Sequence, residues 1–261
     1  MESEALLKET VDGICTLTLN RPGALNSITK ELSEMLQKEL ITVSKDSSVK
    51  VVIITGAGKA FCAGQDLSEL TKPGAENDLG VIVETRYNPI VQAIHGLEKP
   101  VIAAINGVAA GAGATIALAC DIVLASEKAS FILSFINVGL IPDSGGTFSL
   151  PRLIGPQQAK AMAMLGEKLS AERAHSLGIV YKTFPEDNFQ NEVKSVAKKL
   201  VALPVLGLSL TKRAINSSFE NSFESQLKLE KELQHRAGNS SDYKEGLSAF
   251  LEKRPPKFSG A

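Results

Sequence analysis

The hydrophobic pattern along the chain changes period several times, and each change predicts an element. Val11 to Leu19 alternates apolar and polar β-prone residues, the signature of a strand, and Val51 to Thr55 is a nearly all-apolar run that reads as another. Between them Leu32, Met35, Leu36, Leu40 and Val43 recur at helical spacing, with Lys and Glu on the opposite face. A second cycle follows: a helical stretch near Val81 to Ile94, a strand over Val101 to Ile105, a turn at Asn106-Gly107, and the small-residue segment Ala109 to Ala119. A third strand covers Ile122 to Ala125. Strands alternating with helices at this interval predict an α/β fold whose helices cover a largely buried sheet.

From about Ala171 the pattern turns helical, through Phe189 to Val201, Pro204 to Phe219 and a charged stretch from Glu224 to Arg236. No Pro/Ser-rich linker sets this part off, so it should pack on the core or on neighbouring subunits. The expected division is a core over residues 1–200 and a helical C-terminal region over 201–261. No internal repeat or low-complexity tract interrupts it.

Composition narrows the function classes. The 261 residues are 44% hydrophobic, enough for one large core, and 28 basic side chains balance 29 acidic ones. That balance gives no support to nucleic acid or an anionic membrane as partner. The segment Met1 to Thr10 lacks the basic and apolar regions of a signal peptide, and no run approaches the length of a membrane span. A cytoplasmic protein, or one in an organelle lumen after processing, is expected. Cys15, Cys62 and Cys120 are odd in number and far apart, which reads as buried reduced thiols rather than disulfides or a zinc site.

Several familiar motifs fail. Gly56-Ala57-Gly58-Lys59 follows a strand, but Ala60 stands where a phosphate-binding loop carries Ser or Thr. Gly107, Gly111 and Gly113 do not make G-x-G-x-x-G and lack the distal acidic residue of a dinucleotide site. His95, His175 and His235 are dispersed, so neither a metal site nor a Ser-His-Asp triad is supported.

Three segments remain, each just past a strand, where α/β proteins place chemistry. In Phe61 to Leu67, small residues let a ligand approach the backbone, and turn N–H groups can bind an oxyanion. In Asn106 to Ala114, a helix start would aim free N–H donors at the same point. Close packing alone also explains the small residues of either segment. The third, Gly139 to Thr147, contains Asp143, which is either a functional carboxylate or a helix cap.

Taken together, the motifs resemble the enoyl-CoA hydratase/isomerase (crotonase) superfamily. They are L-x-R-P-x-A-L-N at Leu19 to Asn26, K-A-F-x-A-G-x-D at Lys59 to Asp66, K-P-V-I-A-A-I-N-G at Lys99 to Gly107, A-C-D-I at Ala119 to Ile122, and a tail motif at Glu245 to Arg254. The resemblance spans nearly the whole chain. It implies a crotonase-like spiral of repeated β-β-α units, with a helical C-terminal region that makes trimers or a dimer of trimers. It also implies an acyl-CoA thioester as substrate, with no separate cofactor or metal.

By motif position, the family's two backbone N–H groups that hold the thioester oxygen fall on Gln65 and Ala112. Ala24, Leu25, Ala63, Asp66 and Leu67 would line the coenzyme. Two positions that often carry basic residues for its phosphates read Gly23 and Ser68, leaving Lys253 as a candidate, either reaching a neighbouring subunit's site or simply solvated. The two glutamates of typical hydratases align with Thr115 and Phe135, neither of which can activate water. Asp143 stands where isomerases of the superfamily carry their acid/base carboxylate, among Phe135, Val138, Leu140 and Ile141. The string from Gly139 to Thr147 most resembles the ring-1,2-epoxyphenylacetyl-CoA isomerases of phenylacetate degradation. A Δ3,Δ2-enoyl-CoA isomerase is the main alternative. An aryl-CoA dehalogenase fits less well, since it relies on a Trp where this chain has Phe135. A weak hydratase, a non-catalytic acyl-CoA-binding protein of the same fold, and an RNA-binding relative are competing readings, the last without a Lys/Arg-rich helix to support it.

Overall fold

Parallel strands buried on both faces need apolar residues at every position, and the two most apolar runs of the chain lie side by side at the centre of a six-stranded sheet. The computed structural model describes residues 4–71, 73–74 and 76–260. Part of the Met1 to Thr10 segment, and Lys72 and Ala75, lie outside them. The strands are β1 (Leu6–Val11), β2 (Ile14–Leu19), β3 (Val51–Gly56), β4 (Ala60–Cys62), β5 (Val101–Ile105), β6 (Val108–Ala110), β7 (Ile122–Ser126), β8 (Ser130–Ile132), β9 (Lys168–Ser170) and β10 (Lys182–Phe184). The large sheet runs β1-β2-β3-β5-β7-β10, parallel except for the β1–β2 hairpin, and a smaller sheet runs β4-β6-β8-β9.

The helices are α1 (Lys30–Lys45), α2 (Leu79–Ile82), α3 (Asn88–Gly96), α4 (Ala112–Ala119), α5 (Gly146–Leu165), α6 (Ala171–Ser176), α7 (Phe189–Val201), α8 (Val205–Ser217), α9 (Phe223–Gly238) and α10 (Ser241–Glu252). Each turn of a spiral therefore gives one strand to the large sheet, one to the small sheet, and then helix: β3-β4-α2/α3, β5-β6-α4, β7-β8-α5. Strand alternation sorts the residues into two cores. Val52, Ile54, Val101 and Ala103 face the core shared with α1, α3 and α4, whereas Val51, Ile53, Ile102 and Ala104 face Phe189, Val193 and Ala197 of α7.

The structure differs from the pattern reading in three places. Val11 to Leu19 is not one strand: Asp12 (φ 51°) and Gly13 (φ 79°) make a tight Asp-Gly turn, and Val11 ends β1. β1 is exposed along most of its length, so its pattern carries no burial signal. The stretch Val81 to Ile94 is broken by a π-helical turn over Val83–Tyr87 between α2 and α3. Beyond Ala171 the helices are interrupted by β10, which joins the edge of the large sheet beside β7. In the C-terminal part α8 packs on α9, and Lys212 of α8 donates to the Ile94 carbonyl (2.7 Å) and pairs with Asp121 (2.9 Å). The Asp of the A-C-D-I motif thus anchors structure, its carboxylate also accepting from the Val101 N–H at 2.7 Å.

Candidate active site

Close approach between the end of β4 and the start of α4 builds the site. Strand β4 runs parallel to β6, so the chain leaves both at the same edge. Gly64 (φ 89°) then lies against the Gly111-Ala112 backbone, where a Cβ would sit 2.9 Å from the Ala110 carbonyl oxygen and 3.2 Å from the Ala112 nitrogen. Gly113 is equally constrained, since its Cβ would meet the Cys62 carbonyl at 2.5 Å. No other residue type lets these two backbone segments touch.

That contact brings together two backbone donors. On its other side the 64–66 segment pairs with Ile28, whose N–H donates to the Gly64 carbonyl (2.7 Å) and whose carbonyl accepts from the Asp66 N–H (3.0 Å). Successive amides of an extended chain point in opposite directions, so the intervening Gln65 N–H faces away from Ile28. Ala112 is the first residue of α4, capped by Gly111 with no side-chain acceptor, and helix geometry leaves its N–H unbonded. Among the described residues neither amide has an acceptor. Helix α4 is buried from Ala112 through Leu118, so its positive end acts in a poorly solvated place.

Asp143 lies in the loop before α5, the helix whose start packs against α4. Ser144 (φ 51°) and Gly145 (φ 75°) are successively left-handed, a conformation that costs energy for serine and clusters at functional sites. Gly145 caps α5 without a side-chain bond, so Asp143 is not the helix cap. Its carboxylate instead accepts from Ser144 Oγ at 2.7 Å. Burial pushes the Asp143 carboxyl above its ordinary value, with the Ser144 bond acting against that rise. Gly146, three residues on, packs against Thr115, which lies about 4.5 Å along α4 from Ala112 at 1.5 Å per residue. Thr115 is buried with its hydroxyl committed to the Ala112 carbonyl (3.1 Å), and Phe135 is buried in the turn Ser134–Val138.

The residues expected along the coenzyme divide. Ala24 and Leu25 stand on an exposed turn tied to Ala63, whose N–H donates to the Leu25 carbonyl at 3.0 Å, and Leu67 is exposed nearby on the same segment. Asp66 is different: its carboxylate pairs with Arg21 (2.8 Å) and accepts from Ser68 Oγ (2.6 Å). Burial opposes its ionisation, but Ser68 and Arg21 outweigh burial and hold the carboxyl below its usual value. Asp66 therefore fastens the loop, and Ser68 is its partner. Lys253 sits far along the chain at the exposed end of α10 (φ 55°), a helix that packs on α9.

Sequence reasoning missed two contributors, Asn26 and Asn106. Asn26 is fully buried: its amide donates to the Ala57 (2.9 Å) and Ala60 (2.8 Å) carbonyls, and its oxygen accepts from the Arg21 N–H (2.9 Å). Asn106 grips the same turn, donating to Gly58 O at 2.9 Å. Both stand in the quoted motifs, Asn26 at the end of one and Asn106 just after the apolar run of another, and that placement was the available signal. Tyr87, on the π-helical turn, is almost fully buried, and its hydroxyl has no partner among the described residues. Cys15, Cys62 and Cys120 are buried and unpaired, and the three histidines are exposed. No group of three or more His, Cys, Asp or Glu side chains is gathered to hold a metal, and no helix is long and apolar enough to cross a membrane, among the described residues.

A two-sheet spiral with one unbonded amide past β4 and another at the start of α4 belongs to a known class. The chain is a member of the enoyl-CoA hydratase/isomerase family, whose profile matches residues 9–261, and it is an acyl-CoA enzyme of the isomerase/hydratase kind. It is 46% identical over 259 residues to the 1,2-epoxyphenylacetyl-CoA isomerase of Escherichia coli (strain K12), covering 98% of this chain and 99% of that one. It is 37% identical over 260 residues to a probable enoyl-CoA hydratase of Rhodobacter capsulatus, with both chains fully covered. The crystal structure of an enoyl-CoA hydratase from Bacillus anthracis superposes with a TM-score of 0.94 at 34% identity, covering 98% of this chain and all of that one.

Proposed function

We propose that the protein is an acyl-CoA isomerase that works through a thioester enolate. The Gln65 and Ala112 amides receive the thioester oxygen, and Asp143 carries the proton. When the carbon next to the thioester loses a proton, charge flows to that oxygen, and two preorganised donors in a water-poor site stabilise it; one such donor contributes about 3–4 kcal/mol. Asp143, its pKa raised by burial, takes the proton from one carbon and returns it to another. The double bond moves and no atom is added.

What supports this reading most is that neither aligned glutamate position holds a carboxylate, whereas the isomerase position holds Asp143. Hydration needs a base for water and an acid for carbon, yet the two aligned glutamate positions hold Thr115, its hydroxyl occupied, and Phe135. The Escherichia coli relative favours an epoxide-bearing aryl acetyl ester, with a 3-enoyl-CoA as the simpler substrate of the same chemistry. Ala24, Leu25, Ala63 and Leu67 offer the coenzyme an exposed apolar track beside a fastened loop. Lys253 of a neighbouring copy would meet its phosphates, which fits a core of residues 1–200 and a trimer-forming region of 201–261, as a trimer or dimer of trimers. The same proposal has the enzyme act in the cytoplasm, with no cofactor beyond the coenzyme carried by its substrate.

The test is incubation with 2-enoyl-, 3-enoyl- and epoxyphenylacetyl-CoA, with products followed by mass and absorbance. Isomerisation leaves the mass unchanged, whereas a product heavier by one water would make the protein a hydratase. Absence of turnover with all three would favour a non-catalytic binder.

A further inference from the structure

Parallel pairing beside the candidate site stops one rung early, and a side chain supplies what the backbone withdraws. The segments around Ile28 and Gln65 begin an ordinary parallel ladder, with the Ile28 N–H on the Gly64 carbonyl (2.7 Å) and the Asp66 N–H on the Ile28 carbonyl (3.0 Å). The next rung of such a ladder would join the Lys30 N–H to the Asp66 carbonyl. That carbonyl is taken instead by the Glu69 N–H at 3.1 Å, as the chain coils into the 3-10 turn Leu67–Thr71. Glu69 restores the rung with its own side chain, whose Oε2 accepts from the Lys30 N–H at 2.8 Å. Lys30 is the first residue of α1, so the carboxylate also meets the positive end of a helix.

Arg86 aims that carboxylate, donating from Nη1 to the same Oε2 at 3.0 Å, and both side chains are largely shielded from solvent. Arg86 is itself held in place. It lies in the π-helical turn Val83–Tyr87, a local insertion that leaves carbonyls without ordinary helical partners. Two side chains of α1 serve them: Ser33 Oγ donates to the Arg86 carbonyl (2.8 Å), and Gln37 Nε2 donates to those of Thr85 (3.0 Å) and Arg86 (3.2 Å). Three segments, the turn after Gln65, the start of α1 and the π turn, therefore meet on one glutamate. A shielded ion pair adds little to stability, because desolvation offsets attraction, and its consequence here is geometric.

We propose that Glu69, aimed by Arg86, is a positioning residue for the oxyanion-binding amide of Gln65. Gln65 stands between the two backbone rungs, and its N–H faces away from Ile28 only while the chain beyond it lies flat along the start of α1. Arg21 fastens Asp66 next to it through the side chain. Without the Glu69 rung, the far end of the segment is free to lift, and the Gln65 peptide plane turns with it. A hydrogen bond weakens steeply as its angle departs from linear, so a small turn removes most of what this donor gives a developing oxyanion. The inference rests on the enolate reading of the site, and it gives Glu69 no contact with the substrate.

Calorimetric titration of the full-length protein with hexanoyl-CoA and S-hexyl-CoA tests it, since the thioether differs from the thioester only in lacking the carbonyl. The parent should bind the thioester about tenfold more tightly, and Glu69→Ala should cut that preference to about threefold or less while binding S-hexyl-CoA within about twofold of the parent. On 3-hexenoyl-CoA the same variant should lose at least about tenfold in kcat, with KM raised no more than about threefold, because the amide matters most when charge has reached the oxygen. Arg86→Met, which leaves the carboxylate in place but unaimed, should show an intermediate preference, and it decides the question if Glu69→Ala does not fold. A preference unchanged in the variants, or affinity lost equally for both ligands, overturns this inference alone. Equal affinities in the parent would overturn the oxyanion role of the Gln65 amide and this inference with it.

Discussion

Replacing Asp143 by Asn separates chemistry from stability, because the two should move in opposite directions. Asn is nearly isosteric, and its Oδ1 can still accept from Ser144 Oγ at 2.7 Å, so the loop is retained. Loss of a positioned acid/base group costs 10²–10⁴ in rate, or about 3–5 kcal/mol of barrier. Stability goes the other way. Burial raises the folded-state pKa of Asp143 above its ordinary 3.8, so the folded protein holds this proton more tightly than the unfolded chain does. The group costs nothing below the unfolded value, and its penalty grows as pH rises through the folded value. Above that window Asp143→Asn should melt higher than the parent, and at strongly acid pH the difference should vanish. The assays are kcat on a 3-enoyl-CoA and thermal melts at pH 3 and pH 8. A kcat within tenfold of the parent refutes the proton-carrier role, and a variant that melts lower at pH 8 refutes the desolvated carboxylate.

Gly64→Ala should cost about 1–3 kcal/mol through its positive φ and the clash with Ala110 and Ala112, measured by urea denaturation, and should weaken acyl-CoA binding because the two amides are forced apart. Asn26→Ala should destabilise by about 2–3 kcal/mol, since it strands the Ala57 carbonyl and the Arg21 N–H and leaves the Ala60 carbonyl to Asn106 alone; a loss below about 1 kcal/mol would deny its role as a hub. The Cys62 thiol, pushed up to about 12 by burial, should resist iodoacetamide at pH 8 until the protein is unfolded, as mass spectrometry of the alkylated chain would reveal.

The parts of this fold legible in the sequence are those whose residues answer to one strong physical demand. Val51–Gly56 and Val101–Ile105 are recognisable because both faces are buried, and α7 because a single face is. Strands β4, β6 and β8 have three residues each, too few for a period to emerge, although they make the small sheet that places the site. Gln65 and Ala112 were singled out within their segments only through the motif resemblance, since an amide contributes through the direction of its N–H and not through its side chain; Asp143 stood out as a carboxylate, and only its role came from the resemblance. Asp66 marks the opposite failure. A carboxylate in a motif invites a binding role, but Arg21 and Ser68 were already waiting for it. Tyr87 was invisible because a lone aromatic in a helical stretch reads as core, and a π turn leaves no trace in apolar spacing.

The π-helical turn has a consequence for how this chain can vary. Each helical residue advances the chain by about 100°, so deleting one residue from Val83–Tyr87 and restoring a regular helix would swing the tyrosine around the axis, while Ser33 and Gln37 would lose the carbonyls they serve. A single in-frame codon loss, and no substitution at all, would re-aim a fully buried aromatic ring in one step.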